Sequence, residues 1–151
     1  MANTILITGA AQRVGLYCAL ALQSAGYQVV ATYRRDKPGL AQLRAAGVDC
    51  QFLAIDDNER LPADLAELTS YLQRHYGTLR AVIHNASAWV GEEPVSTDIS
   101  TQLQHDSQVF DAMMRIHAKT PYLLTRVLMP LLVKDADRPA DVIAISDFAV
   151  N

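Results

Sequence analysis

Cysteine is scarce in this chain. Only Cys18 and Cys50 occur in 151 residues, far apart and without a Cys-x-x-Cys, which excludes a disulfide scaffold and fits two reduced core thiols. Basic runs are also missing. Thirteen Lys and Arg against sixteen Asp and Glu leave a formal net charge of −3. With no cluster to neutralise phosphates, neither nucleic acid nor an anionic membrane is an expected partner. No apolar run approaches the ~20 residues that span a bilayer. The stretches TILIT and VGLYCALAL fall well short, and Met1-Ala2-Asn3 supplies no basic leader, so the expected location is the cytoplasm. The histidines His75, His84, His105 and His117 show no ligand spacing with cysteines or carboxylates, and no metal is expected. Repeats and low-complexity tracts are lacking too.

What is present is an ordinary globular composition, 50% apolar and 19% charged, sufficient for one domain with a sizeable core. Apolar runs of strand length at 4–8, 28–33, 50–55, 81–84 and 141–146 alternate with helix-period segments at 13–25, 38–46, 61–76 and 107–133. Gly26, Gly47 and Gly77 fall just past the first three helices, where a left-handed cap residue is expected. Apolar strands separated by helices predict an α/β fold, a Rossmann-type doubly wound parallel sheet with its ligand edge at the strand C-termini. Residues 86–105 show little periodicity and read as a loop region at that edge, a candidate substrate wall.

One further absence raises a question. The stretch TILITGAAQRVGLYCAL reads as strand, glycine turn and helix, yet position 13 of the turn holds Arg13 where a glycine is usual. Gly9 and Gly15 leave room for a pyrophosphate to approach the backbone, and the helix N-terminus behind them favours an anion. The second strand ends VVATYRRDK. An NAD site wants a carboxylate there to accept from the ribose 2′-OH. Arg34 and Arg35 stand in its place and suit a 2′-phosphate, with charge-assisted bonds worth about 1.5–3 kcal/mol each. Asp36 lies past the usual point and beside two cations. Arg13 then has a purpose in a turn that binds a polyanion: it can lie over the phosphates or reach a substrate. The plainer readings are a turn without ligand, a solvated arginine pair and an exposed first-turn arginine.

These residues resemble the short-chain dehydrogenase/reductase family. TGAAQRVG matches its Thr-Gly-x-x-x-Gly-x-Gly turn except at Arg13. Asp56 in FLAIDD sits where the family holds the adenine amino group, and His84-Asn85-Ala86-Ser87 matches its Asn-Asn-Ala-Gly stretch. The arginine in the turn, Asn85-Ala86-Ser87, and Asp147 at the end of the fifth strand resemble the pteridine reductase branch. HNASAW and IHAKTPYLL are most like its bacterial dihydromonapterin-reducing members.

The resemblance implies roles. Gly9, Arg13, Val14, Gly15, Arg34, Arg35, Asp56, Asn85 and Ala86 would hold NADPH. Arg13, Ser87 and Trp89 would face a pterin, with the indole stacking the bicyclic ring. Asp147 would be catalytic, bonding pterin N–H groups or relaying a proton. His117 takes the place of the family's relay asparagine, which makes the relay sensitive to pH near neutrality. For Trp89 the plainer reading is core or interface filler; for His117 a satisfied core histidine; for Asp147 a strand-end turn residue. Ser146 is a weaker candidate beside it. The family's general acid, in Tyr-x-x-x-Lys after the fifth strand, is not found. Tyr33 to Lys37 has that spacing but lies on the adenosine side. The expectation is therefore a single NADP-binding domain over 1–151, the N-terminal portion of a longer reductase whose sheet is incomplete on its C-terminal side. The implied reaction is NADPH-dependent reduction of a dihydropterin, dihydromonapterin first and dihydrofolate more weakly, by a homo-tetramer. The rivals are a carbonyl reductase of the same family and a non-catalytic NADPH-binding module.

Overall fold

A computed structural model describes residues 3–90, 95–132, 134 and 137–146. Five strands form one parallel sheet: β1 (Thr4–Ile7), β2 (Gln28–Tyr33), β3 (Asp49–Phe52), β4 (Ala81–His84) and β5 (Asp141–Ala144), in the order β3-β2-β1-β4-β5. The order reverses at β1, between β2 on one side and β4 on the other. That switch point is where open α/β sheets bind ligands.

The pleat sorts the apolar runs onto two faces. Leu6, Val30 and Val82 point to one side and pack with Leu61, Leu65, Leu68 and Leu72 of α3 (Leu61–His75). Their neighbours Ile5, Ile7, Val29, Ala31 and Ile83 point to the other, against Ala19 of α1 (Arg13–Ser24) and Leu40 and Leu43 of α2 (Gly39–Ala45). Burial on both faces explains why these strands read as continuous apolar runs. Gly26, Gly47 and Gly77 have φ of 89°, 81° and 73°, the left-handed geometry expected of residues that end a helix. At the outer edge, β5 is exposed throughout, with Val142 and Ile143 nearly half accessible.

Two expectations change. The segment read as loop over 86–105 becomes helical at Ile99, where α4 (Ile99–Met114) begins. Asp98 caps it, accepting from Ser100 N at 3.0 Å and from the Thr101 hydroxyl at 2.6 Å; these bonds hold the Asp98 carboxyl below the usual carboxylate range. Periodicity missed this start because α4 has no fully buried residue, and the side it half-buries over its first turns carries the polar Gln102 and His105. The expected single helix over 107–133 is also interrupted. α4 passes into a π segment (Arg115–Lys119), then α5 (Thr120–Leu128) and a 3-10 turn (Met129–Leu131). Thr120 N–H donates to the Arg115 carbonyl five residues back. Pro121 follows directly and has no N–H for the carbonyl four residues earlier, so the wider turn relieves its ring. Val133 lies outside the described residues. Among those described, no helix is long and apolar enough to cross a membrane.

Candidate functional site

The turn after β1 is built from below by hydrogen bonds. Thr8 is buried, and its hydroxyl accepts from Asn85 N at 3.1 Å and Ala86 N at 3.0 Å. The Asn85 amide donates to the Thr8 and Gly9 carbonyls, each at 3.0 Å. Ala10 N–H donates to the Thr32 carbonyl at 3.1 Å. The chain is thus clamped to β2 and β4 at once. Gly9 has φ of 67°, and a Cβ on it would lie 2.7 Å from Ala86 Cα. A Cβ on Gly15 would strike the Asn85 amide nitrogen and approach the Gly9 carbonyl oxygen to 2.7 Å. Both positions need glycine for space, as their place in the turn suggested. Asn85 therefore acts through the turn, since its amide N–H groups are taken up there.

Arg13 answers its question in an unexpected way. Its φ is 52°, and it is the one non-glycine residue with positive φ among those described. The turn does require the left-handed region at this position, and the arginine occupies it at a cost of about 1–2 kcal/mol. Such strain persists where the surroundings over-determine it, typically at ligand sites. Replacing Arg13 with glycine should therefore leave thermal stability level or slightly higher, because relief of strain offsets the added chain entropy of roughly 0.5–1 kcal/mol. Nucleotide or substrate affinity should fall instead. A melting temperature that dropped several degrees with affinity unchanged would show that Arg13 is a structural residue.

No side chain caps the N-terminus of α1, and its first turn carries no acidic residue. Its leading N–H groups are thus free of internal partners and suit an anion. Two hollows adjoin there, sharing Gly9, Gln12 and Ser87. The smaller, of about 140 Å³, is lined by Arg34, Arg35 and Lys37. The larger, of about 620 Å³, is lined by Arg13, Val14, Gly15, Asn85, Trp89 and Ser146, among others. The bare glycine backbone, open helix end and three cations are a donor set that fits a phosphorylated dinucleotide.

Asp56 stands against the cations. Its carboxylate accepts from Arg34 Nη1 at 2.6 Å and lies 3.8 Å from Arg35 Nη2. Arg115 Nη1 donates to the Asp56 carbonyl at 2.8 Å, tying the π segment to the turn that follows β3. Trp89 is 82% exposed, so no part of the described chain covers its ring. Ser87 and His117 meet, Oγ to Nε2 at 3.1 Å. His84, the last residue of β4 and in register with Ala144 of β5, is a different histidine: it is buried, bonds Thr125 Oγ1 at 2.8 Å, and burial pushes its pKa down. Asp147 lies outside the described residues. Sequence reading did not single out Thr8 or Lys37. Thr8 supplies a hydroxyl beside the turn whose role appears only when the chain after β4 arrives, and Lys37 was legible only as half of a misplaced Tyr-x-x-x-Lys.

Comparison with known proteins agrees with this geometry. The chain is 36% identical over 147 residues to a dihydromonapterin reductase of Escherichia coli and 34% identical to one of Klebsiella pneumoniae, each match covering 97% of this chain and 56% of the relative. The chain thus spans little more than half the length of these curated relatives. Among solved structures, a short-chain dehydrogenase from Streptomyces avermitilis superposes with a TM-score of 0.73 at 27% identity, over 97% of this chain and 50% of that one. The sequence profile described as short chain dehydrogenase matches residues 3–149, and the chain belongs to that family.

Proposed function

We propose that the protein is an NADPH-dependent reductase of dihydropterins, with dihydromonapterin as the preferred substrate and dihydrofolate a poorer one. The observation that carries this reading is the continuity of the two hollows. An arginine- and lysine-lined recess on the adenosine side runs past the glycine turn into a wider cleft walled by an uncovered indole. The names of the relatives support it, as does the turn's departure from glycine at Arg13.

When bound, the nicotinamide supplies a hydride, and a proton must arrive on the neighbouring nitrogen of the C=N bond. The chain's own residues do the rest. Arg34, Arg35 and Lys37 take the 2′-phosphate, Gly9, Arg13, Val14 and Gly15 the pyrophosphate, and Asp56, released from Arg34, the adenine amino group. Asn85 and Ala86 hold the turn against β4. Trp89 covers the flat face of the pterin, Ser87 bonds its edge, and His117 and Asp147 serve proton movement. The exposed apolar residues of α4, Leu103 and Phe110 among them, are the proposed subunit contact of a tetramer, and the cytoplasm is the proposed location.

Trp89→Ala tests the pterin reading. Stacking and apolar burial of a ring of this size contribute about 2–4 kcal/mol, so kcat/KM for a dihydropterin should fall by roughly a hundredfold, measured by loss of NADPH absorbance. Turnover within twofold of the unmodified protein would favour a carbonyl reductase that does not use the indole. No turnover of any carbonyl or pterin, with NADPH still bound, would leave a nucleotide-binding module.

A further inference from the structure

His117 is the middle member of a hydrogen-bonded chain that ends in the cleft. Its Nδ1 lies 3.1 Å from the Met113 carbonyl oxygen, one turn earlier in the helix, and its Nε2 lies 3.1 Å from Ser87 Oγ. A carbonyl oxygen can only accept. Nδ1 must then carry the proton of the neutral ring, and Nε2 is left with a lone pair. The Ser87 hydroxyl has one proton, and Nε2 takes it. What Ser87 presents on its remaining side is oxygen lone pairs alone.

Ser87 lines both hollows at their junction, so the polarity of this one atom bears on what each can accept. An oxygen without an available proton repels a phosphate or carbonyl oxygen and attracts an N–H. The backbone supports the arrangement. His117 sits in the π segment, whose register is displaced ahead of Pro121, and such wide turns recur at functional sites because they re-aim side chains.

We infer that His117 holds Ser87 as an obligate hydrogen-bond acceptor, which selects a ligand that places an amino or ring N–H there over one that places an oxygen. In selecting the ligand, as distinct from any part in proton movement, His117 is a positioning residue, acting through Ser87. The identity of the ligand as a pterin, which carries both kinds of N–H, rests on the function proposed above; the polarity of Ser87 does not.

Two measurements on the intact protein separate these claims. Ring nitrogen shifts of [15N]histidine-labelled protein above pH 8, with the His117 signals assigned by their loss in His117→Leu, report the tautomer without any ligand. The Nδ1–H form is expected, and the Nε2–H form overturns the inference. Calorimetric titration with 2-amino-4-oxopteridine then gives a double-mutant cycle. Ser87→Ala should weaken binding about tenfold and His117→Leu by up to as much, and together by little more than Ser87→Ala alone, because His117 acts only through the Ser87 hydroxyl. Losses that multiply to roughly a hundredfold would overturn the coupling. If the unmodified protein failed to bind the pterin at all, the proposed substrate would fall, and the tautomer would still decide the polarity of Ser87.

Discussion

Replacing Arg34 and Arg35 together with alanine is expected to erase most of the preference for NADPH over NADH. A charge-assisted bond to phosphate contributes about 1.5–3 kcal/mol, and 1.4 kcal/mol is a tenfold change, so two such bonds amount to roughly a hundredfold or more. The pair is unequal. The Arg34 side chain is 27% exposed and that of Arg35 67%, so solvent screens the second more and Arg34→Ala alone should carry the larger share. Asp56 modulates the result. Arg34 must exchange the Asp56 carboxylate for the phosphate, and the exchange lowers its net contribution. Lys37 lines the same recess and should leave a residual preference in the double variant. Steady-state kcat/KM with both cofactors measures all three effects. Equal values for NADH and NADPH in the unmodified protein would end the NADPH assignment, and an unchanged ratio in the double variant would move the phosphate site elsewhere.

The other large effect is expected from Gly9→Ala. Positive φ strains any residue with a Cβ, and here the added carbon would sit 2.7 Å from Ala86 Cα, a backbone atom clamped through Asn85 and Thr8. Strain of about 1 kcal/mol and overpacking of about 1–3 kcal/mol add. At roughly 2–4 °C per kcal/mol for a domain of this size, the melting temperature should drop by about 5–15 °C. Gly26→Ala is the control. Gly26 also has positive φ, 89°, but nothing lies within 4 Å of its missing Cβ, so only the strain remains and the drop should be a few degrees. Thermal unfolding followed by circular dichroism compares the two. Equal melting temperatures for both variants would show that the turn can open away from β4, and the clamp would lose its importance for nucleotide binding.

Legibility followed burial. β2 and β4 have the bounds that their apolar runs predict, because β4 is buried throughout and β2 at its four central residues, so nearly every position contributes to the signal. The run at 50–55 was read too long: β3 stops at Phe52, Leu53 makes a last bond to the Tyr33 carbonyl at 2.9 Å, and Ile55 is buried in the turn that follows. Apolar character reports enclosure and not hydrogen bonding, so the two cannot be told apart from residue types. The first two turns of α4, ahead of the helix expected from 107, were hidden for the converse reason, since none of its residues is fully buried and it is started by an Asp98 cap embedded in polar sequence. The site divided in the same way. Gly9, Gly15, Arg34 and Arg35 could be placed because local turn geometry and strand ends assign them. The meeting of Ser87 with His117, thirty residues apart, and the Asp56 counter-ion to both arginines could not.

The chain's own order of residues determined a parallel α/β sheet with a nucleotide-type turn after its first strand, because the 2.0 and 3.6 periods and the glycine positions are local properties. Only the folded arrangement decided that Arg13 sits strained in a glycine conformation, that Asp56 neutralises part of the arginine cluster, and that His117 orients Ser87. Backbone torsion at a single turn residue and the pairing of polar groups across elements depend on which strands and helices arrive beside one another, and that is information no stretch of the sequence carries alone.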